Sequence, residues 1–376
     1  MEEILIRLRN HISRFFYKAV FKPIFFLIDP ETTHQQMLAV GNFLGSNPFT
    51  RALTAFFFFY SNKKLEQKIL GINFPNPIGL AAGFDKEGFL TSILPSVGFG
   101  FAEVGSITGE PCEGNPKPRL WRLKKSMGIV VYYGLKNDGC EKISRRLRNK
   151  AFAIPLGTSI AKTNSPNTVE TQDGIADYVE AYKKFTTIGS YFTINISCPN
   201  AYGGQPFTDA ERLDRLLTEI DKIQTKKPVF LKMSPDLNYS EIDKIIEVAK
   251  QHEAAGFICT NLTDQRKNKK IVDRLVPKKG GISGKPVEEL ANDLISYVYR
   301  KTKGEFVIIG CGGVFSAADA YKKIKLGAFL VQLITGMIFE GPQVISEINQ
   351  GLVALIKKDG FKSISEAVGA DNRLKG

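Results

Sequence analysis

One short segment of the chain gathers side chains that could act on a polar substrate. Residues 195–200 read NISCPN and directly follow an apolar run. An asparagine amide both donates and accepts hydrogen bonds, so Asn195 and Asn200 could bind amide and carbonyl groups. A thiol titrates at about 8.5, and nearby positive charge lowers that pKa. Cys198 is therefore a candidate general base, although a lone cysteine is more often a small buried hydrophobe.

Two lysines and a glycine-rich turn could complete this site. Lys86 and Lys232 each follow or end an apolar run. A cation in such a place stabilises an anion that forms beside it, although a solvated lysine is the simpler interpretation. Residues 310–313 read GCGG, and glycines let backbone N–H groups approach an anion closely. A tight turn is the alternative for this segment.

Eight short apolar runs separated by amphipathic stretches must position these residues. The predicted strands are Pro77–Ala82, Phe101–Ser106, Ile154–Ile160, Tyr191–Ser197, Val229–Met233, Gly256–Asn261, Phe306–Gly310 and Phe329–Leu333. Helices are predicted over 209–224, 240–252, 287–302 and 317–325. Buried strands that alternate with helices indicate a parallel sheet, and eight of them predict a closed (β/α)8 TIM barrel. An open doubly wound sheet is the alternative, but no GxGxxG follows the first strand.

Barrels of this kind carry their chemistry at the carboxyl ends of the strands. The predicted strand ends collect hydrogen-bond donors, lysines and one thiol. The polar residues at these ends are Asp85, Lys86, Ser106, Thr108, Ser159, Lys162, Asn195, Ser197, Cys198, Asn200, Lys232, Ser234, Thr260, Asn261 and Thr335.

The first 62 residues differ from the rest of the chain. Asp29-Pro30-Glu31 predicts the start of a helix, and Gly45 offers its end. Residues 56–59 are four consecutive phenylalanines, and arginines and lysines alternate with apolar residues over 7–22. These features fit an ordinary helical hairpin packed on the main domain. They fit equally a monotopic element whose aromatic residues enter the acyl layer while its cations lie near lipid phosphates.

Composition limits the remaining possibilities. Hydrophobic residues make up 43% and charged residues 24% of 376, which is typical of a globular chain. The five cysteines are scattered without CxxC spacing, so neither a disulfide framework nor a metal site is predicted. No apolar run approaches the length of a membrane span, and no secretory signal is expected. The formal charge of +13 has no nucleic-acid motif with it, so a solvated basic surface is favoured over nucleic-acid binding.

Several longer motifs resemble the dihydroorotate dehydrogenase family, and within it the membrane-associated class that uses quinone. They are, in chain order, residues 29–34 (DPETTH), 79–86 (GLAAGFDK), 114–120 (GNPKPRL), 281–286 (GISGKP) and 367–371 (AVGAD). The resemblance implies an FMN-binding barrel over residues 63–376 and a helical domain over 1–62 that admits quinone. It further implies oxidation of dihydroorotate to orotate in pyrimidine biosynthesis. The implied location is peripheral, on the cytoplasmic face of a bacterial inner membrane or on a mitochondrial inner membrane.

The resemblance also assigns residues to roles. Cys198 would be the base, Lys232 would stabilise charge on the flavin, and Lys86 would lie between flavin and substrate. The implied FMN contacts are Ala82, Gly83, Ser106, Ser159, Asn195, Lys232, Thr260, Gly284, Gly313, Thr335 and Gly336. The implied contacts with the dihydropyrimidine substrate are Lys86, Tyr133, Gly134, Leu135, Asn195, Asn200 and Asn261.

Some positions depart from the family pattern. Cys198 stands where the quinone class usually has serine, and Val131 replaces an asparagine that helps to hold the substrate. Ser159, Leu262 and Ile334 replace an asparagine, a threonine and a tyrosine. Two alternatives therefore stay open: an FMN-dependent relative that acts on another cyclic amide or dihydropyrimidine, and a catalytically silent flavin-binding module at a membrane surface.

Overall fold

The computed structural model describes residues 2–373. Its strands are β1 Gln67–Ile69, β2 Ile72–Phe74, β3 Ile78–Leu80, β4 Phe101–Ile107, β5 Leu120–Leu123, β6 Gly128–Val131, β7 Leu156–Ile160, β8 Tyr191–Asn195, β9 Val229–Met233, β10 Gly256–Cys259, β11 Gly281–Gly284, β12 Val307–Cys311 and β13 Leu330–Leu333. Its α-helices are α1 Glu2–Phe16, α2 Lys22–Leu27, α3 Pro30–Gly45, α4 Pro48–Phe58, α5 Leu94–Val97, α6 Cys140–Leu147, α7 Thr171–Lys184, α8 Ala210–Asp221, α9 Tyr239–Gln251, α10 Glu288–Lys301, α11 Ala317–Lys325, α12 Thr335–Glu340, α13 Val344–Lys358, α14 Ile364–Ala367 and α15 Ala370–Arg373. A π-helical stretch, Tyr17–Phe21, joins α1 to α2.

Eight parallel strands close into a barrel in the order β3, β4, β7, β8, β9, β10, β12, β13, and β13 pairs with β3. These are the eight strands that the sequence predicts, so the (β/α)8 TIM barrel is confirmed. Nearly every residue of these strands is buried, because helices cover their outer faces and side chains fill the interior. Small residues make room for large ones: a Cβ on Gly79 would lie 2.4 Å from the ring of Phe101.

Two small antiparallel sheets that were not predicted from the sequence lie outside the barrel. In the β1–β2 hairpin, Ile69 and Phe74 pack against Phe101 and Tyr191, the first residues of β4 and β8. The hairpin therefore covers the amino-terminal end of the barrel. Strands β5, β6 and β11 form the second sheet, built from the excursions that follow β4 and β10. Because those excursions leave the carboxyl ends of the strands, this sheet lies at the opposite end, which we call the barrel mouth.

The N-terminal helices pack against the mouth and against α13. Asp29 caps α3 by accepting a hydrogen bond from the N–H of Thr32 at 2.9 Å, and α3 ends at Gly45, so the predicted helix is confirmed. Lys18 forms an ion pair with Glu340 at 2.6 Å. This ion pair joins the π-helical stretch between α1 and α2 to α12.

Much of the apolar surface of these helices remains open. Leu27 is 86% exposed, Phe49 is 74% exposed, and Phe43 and Phe56 are each 69% exposed. Such a concentration of exposed apolar side chains is unusual for a surface that faces only water. Within residues 2–373, no helix has both the length and the apolar character to cross a bilayer.

Candidate active site

A single cavity of about 450 Å³ occupies the barrel mouth and continues between the barrel and helices α3 and α4. Its lining contains all but one of the residues that the sequence assigns to cofactor, substrate or catalysis. These are Ala82, Gly83, Lys86, Ser106, Tyr133, Gly134, Leu135, Asn195, Cys198, Asn200, Lys232, Thr260, Asn261, Gly284, Gly313, Thr335 and Gly336. The barrel strands and the sheet of β5, β6 and β11 bring them together from positions up to 254 residues apart, Ala82 to Gly336.

Ser159 is the exception. It is fully buried and absent from the cavity wall, and its hydroxyl lies 2.8 Å from that of Ser106. Ser106 in turn accepts a hydrogen bond from the Asn195 amide at 2.8 Å. Ser159 therefore acts behind the wall, where it orients two residues that do reach the cavity.

The amide network continues across the mouth from β8 to β10. Asn261 donates to the side-chain oxygen of Asn195 at 3.1 Å and to the backbone carbonyl of Ser197 at 2.9 Å. Ser197 donates its hydroxyl to the backbone carbonyl of Lys232 at 2.7 Å. Since the members hold one another, the wall is rigid before any ligand binds.

Lys232 reaches the cavity from β9 and is 4% exposed. Its ammonium makes no hydrogen bond or ion pair with any residue in 2–373. A buried cation without a partner is costly, and an anionic or electron-rich ligand would relieve that cost. The residue is thus available to a ligand at the mouth.

The glycine turn after β12 has the form of an anion cradle. Gly312 and Gly313 have positive φ angles of 118° and 74°. A Cβ on Gly313 would lie 2.3 Å from that of Glu288, so only glycine fits there. Within residues 2–373, neither glycine N–H donates to a backbone acceptor outside the regular helices and strands. Across the cavity, Gly83 has a φ of 108° and open space where a Cβ would project. Donors, glycine turn and cation together fit a flavin mononucleotide.

Cys198 begins the loop after β8 and is half-buried at the cavity wall. Burial raises the pKa of its thiol to about 11. The backbone N–H of Asn200 and the charges of Lys162 and Lys232 act in the opposite direction but do not outweigh burial. The expectation that neighbouring positive charge lowers the pKa of this thiol is therefore wrong in this structure. Proton removal by Cys198 requires its thiolate, which a charged ligand or a more open loop would favour.

Several hydrogen bonds between side chains and main-chain groups hold the Cys198 loop in place, among them one from Lys162 and one from Asn200. Lys162, which is 4% exposed, donates to the carbonyl of Tyr202 at 2.7 Å. The Asn200 amide donates to the carbonyl of Val131 at 2.9 Å. Sequence reasoning placed Lys162 near a strand end but gave it no role. Its residue type alone does not reveal that its acceptor lies 40 residues away.

Lys86 lies on the opposite side of the mouth, with its ammonium 3.1 Å from the centroid of the Tyr133 ring. Burial, together with the charges of Lys136 and Arg119, lowers the pKa of Lys86 to about 7. The hydroxyl of Tyr133 lies 3.4 Å from Nδ1 of His34, and Nε2 of His34 donates to the carbonyl of Phe84 at 2.8 Å. This carbonyl fixes the tautomer, so Nδ1 accepts from Tyr133.

The part of the cavity between α3, α4 and the barrel is apolar. Its walls come mainly from Met37, Val40, Leu44, Phe58, Ile93 and Leu94. Arg122 is the main charged group, and it donates to the carbonyl of Ile28 at 2.8 Å and to the hydroxyl of Thr33 at 3.1 Å. The cavity thus passes from a polar end at the strand termini to an apolar end among the N-terminal helices.

A buried ion pair joins α3 of the N-terminal region to the segment that precedes β5. Arg119 donates to both carboxylate oxygens of Glu31, with a shortest distance of 2.7 Å, and each residue is 5% exposed. Arg119 also donates to the carbonyls of Glu113 and Asn115 at 2.9 and 3.0 Å. Both residues belong to motifs that the sequence analysis quotes, but their pairing becomes visible only in the fold.

Ser283 also lines the cavity without having been predicted individually. Its hydroxyl lies 2.9 Å from that of Thr335, a predicted cofactor contact. Within the described part of the chain, no group of three or more His, Cys, Asp or Glu side chains is arranged to hold a metal ion.

Comparison with known proteins gives a consistent result. The family model described as dihydroorotate dehydrogenase matches residues 64–356. A dihydroorotate dehydrogenase (quinone) of Nostoc punctiforme is 37% identical over 376 residues, covering 96% of this chain and 99% of the relative. Another, of Trichodesmium erythraeum, is 34% identical and covers 95% and 99%. The crystal structure of DHODH in complex with ferulenol from Eimeria tenella superposes with a TM-score of 0.79 at 29% identity, covering 92% of this chain and 96% of that one. The chain therefore belongs to the dihydroorotate dehydrogenase family.

Proposed function

We propose that this protein oxidises dihydroorotate to orotate and passes the electrons to a quinone. The observation that carries the proposal is the single cavity, whose polar end holds Cys198, Lys86 and Lys232 and whose apolar end opens among the N-terminal helices. An oxidation that couples a charged, water-soluble donor to a lipid-soluble acceptor needs both kinds of surface within reach of one redox centre.

The cofactor in this proposal is FMN, held at the mouth by the glycine turn at Gly312 and Gly313, by Ser106 and Thr335, and by Lys232. When bound, FMN supplies a ring that accepts a hydride and later releases two electrons. Lys232 stabilises negative charge at the ring edge because its ammonium has no competing partner among residues 2–373.

The protein's own residues prepare the substrate. Cys198 removes a proton from a ring carbon, and the asparagine network presents fixed donors and acceptors to the ring amides. Lys86 binds the carboxylate: it makes no ion pair within 4 Å among residues 2–373. Burial, with the charges of Lys136 and Arg119, lowers its pKa to about 7, and a bound carboxylate would raise that pKa. Orotate and dihydroorotate both carry such a carboxylate, which dihydrouracil lacks.

The apolar end of the cavity accepts the quinone ring, and Arg122 supplies one polar group beside it. Residues 1–62 form the domain that delivers the quinone, and the barrel over 63–376 carries the redox site. The exposed side chains of Leu27, Phe43 and Phe49 insert among acyl chains, so the protein binds a membrane surface peripherally.

The test is an anaerobic mixing experiment with the purified, FMN-loaded protein. Dihydroorotate should bleach the flavin absorbance, and dihydrouracil at equal concentration should do so far more slowly because it offers Lys86 no carboxylate. Faster bleaching by dihydrouracil or another dihydropyrimidine would replace the proposed substrate. Val131 and Leu262, which depart from the family pattern at the cavity wall, favour that second outcome.

The acceptor requires a separate measurement. With dihydroorotate saturating, turnover with a short-chain quinone should exceed turnover with a soluble dye of similar potential. Deletion of residues 1–62 should remove the advantage of the quinone while dye reduction persists. Equal loss with both acceptors would mean that this region supports folding and does not deliver quinone.

A further inference from the structure

A second cavity of about 340 Å³ lies on the outer side of Lys86, between α3 and the loops that follow β3 and β6. We call it the side vestibule. Gln35, Ala39 and Asn42 of α3 line one wall, and Glu87 and Lys136 belong to the opposite one. Lys86, Tyr133 and His34 line both this vestibule and the main cavity.

Those three side chains form the partition between the two cavities. The Lys86 ammonium lies against the Tyr133 ring, and the Tyr133 hydroxyl lies 3.4 Å from His34. Because the partition consists of side chains, a rotation of Tyr133 would connect the vestibule with the polar end of the cavity.

The charges of the vestibule favour an anion. Lys136 is half-buried and forms no ion pair with any residue in 2–373. The two carboxylates in the lining are occupied: Glu31 is paired with Arg119 at 2.7 Å, and Glu87 lies 3.9 Å from Arg146. Lys136 and Lys86 therefore present ammonium groups at the outer and inner ends, and neither has an ion-pair partner among residues 2–373. In contrast, the opening among the N-terminal helices is apolar and faces the proposed membrane surface.

We propose that the side vestibule is the route by which the anionic substrate enters and the anionic product leaves. The inference rests on the proposed function for the identity of the anion, but the route is defined by the cavity itself. Lys136 attracts the carboxylate at the outer end, Lys86 receives it at the inner end, and Tyr133 is the side chain that must move between them. Substrate and quinone then use separate openings and do not compete for one.

The first experiment obstructs the vestibule without touching the site. Ala39 is exposed on α3 and lines only the vestibule, so Ala39→Trp places an indole in the path. Gln36→Trp is the matched control, because Gln36 is exposed on the same helix and lines neither cavity. Orotate binding to the FMN-loaded protein is followed by stopped-flow absorbance of the flavin.

We expect Ala39→Trp to lower the association and dissociation rate constants of orotate together, by about tenfold, with the dissociation constant nearly unchanged. An obstruction in the path slows binding and release equally, because it does not change the free energies of the free and bound states. Gln36→Trp should match the unaltered protein. Rate constants in Ala39→Trp equal to those of Gln36→Trp would overturn the proposal and assign the route to the Cys198 loop.

The second experiment removes the outer charge. Lys136→Gln should lower the association rate constant of orotate by about threefold at low salt, and the difference should vanish at 0.5 M salt, as expected for a screened single charge. Lys226→Gln is the control, since Lys226 is exposed in the loop before β9, at the other end of the barrel. A salt-independent loss, or an equal loss in Lys226→Gln, would contradict steering by Lys136.

The two proposals fail in different ways. If dihydroorotate does not bleach the flavin and orotate does not perturb its spectrum, the proposed function is wrong. If both ligands act normally while Ala39→Trp and Lys136→Gln bind orotate as fast as their controls, only the vestibule route is wrong.

Discussion

The barrel mouth and the N-terminal helices differ in how their side chains are held and how far they are exposed. At the mouth, Ser106, Asn195 and Asn261 are held by hydrogen bonds between 2.8 and 3.1 Å, and each is wholly or partly buried. Among the helices, Leu27 and Phe49 are largely exposed and have no polar partner to fix them. The mouth therefore has a fixed side-chain geometry, whereas the helices present a largely apolar surface.

The difference follows from what each region has to do. Proton and hydride transfer need reacting atoms placed within a fraction of an ångström, so the groups around them must be rigid before binding. Admission of an apolar molecule needs only space, apolar walls and a contact with its solvent. Four predictions test this contrast, beginning with the largest effect.

Cys198→Ala should slow flavin reduction by dihydroorotate by about a thousandfold, the usual contribution of a positioned general base. Bound FMN and orotate affinity should change little, because neither depends on the thiol. Cys198→Ser, which restores a weaker base, should recover part of the rate. A rate in Cys198→Ala within a few fold of the unaltered protein would remove the residue from the mechanism.

Glu31→Gln should weaken the junction of the two regions. Burial raises the pKa of the Glu31 carboxyl, but the hydrogen bonds and charge of Arg119 outweigh burial and hold it below its ordinary value. Breaking a buried pair leaves an uncompensated charge, so the free energy of unfolding should fall by about 3 kcal/mol in urea titrations. The pair's stabilisation should persist above the ordinary carboxyl pKa and disappear as pH falls through the depressed one. Glu305→Gln, at an exposed site, is the control, and an equal change there would contradict a special role for the pair.

The double substitution Leu27→Gln, Phe49→Gln should lower binding to anionic vesicles by about tenfold. Flavin reduction by dihydroorotate should stay the same, since neither residue lines the cavity. Sedimentation with vesicles and stopped-flow reduction measure the two effects. Unchanged vesicle binding would show that this exposed surface serves another partner.

Orotate binding should weaken as pH rises through about 7, the pKa to which burial, with Lys136 and Arg119, brings Lys86. The protonated amine binds the carboxylate, so affinity is highest below that pKa and falls about eightfold between pH 6.5 and 8. Fluorescence or absorbance titrations at several pH values measure this. Lys86→Met should bind weakly at every pH, and a flat profile in the unaltered protein would exclude Lys86 as the carboxylate partner.

The barrel was predictable because its signal is local and repeated. Each buried strand is a short apolar run with a polar end, and Val229–Met233 and the helix 317–325 match the structure in both bounds. The antiparallel sheet of β5, β6 and β11 was not predictable, since β11 pairs with a strand about 150 residues earlier. Pairings of that separation leave no pattern in the short segments involved.

The site was predictable as a set of residues but not as a set of contacts. Strand ends and motifs identified the cavity lining, yet they did not separate Ser159, which lies behind the wall, from Ser106, which reaches it. The raised pKa of the Cys198 thiol could not be predicted from the sequence either, because burial is a property of the packed loop. Sequence reports which groups are available, and packing decides which of them face the ligand.

The fastening of the Cys198 loop has a consequence for how this sequence can change. Lys162 and Asn200 donate hydrogen bonds to the backbone carbonyls of Tyr202 and Val131, and every amino acid has such a carbonyl. Positions 131 and 202 can therefore drift in residue type while the loop keeps its anchorage. Valine is tolerated at position 131 for this reason. Substitutions there can change which ring the pocket prefers, while the loop that carries Cys198 keeps its hydrogen bond.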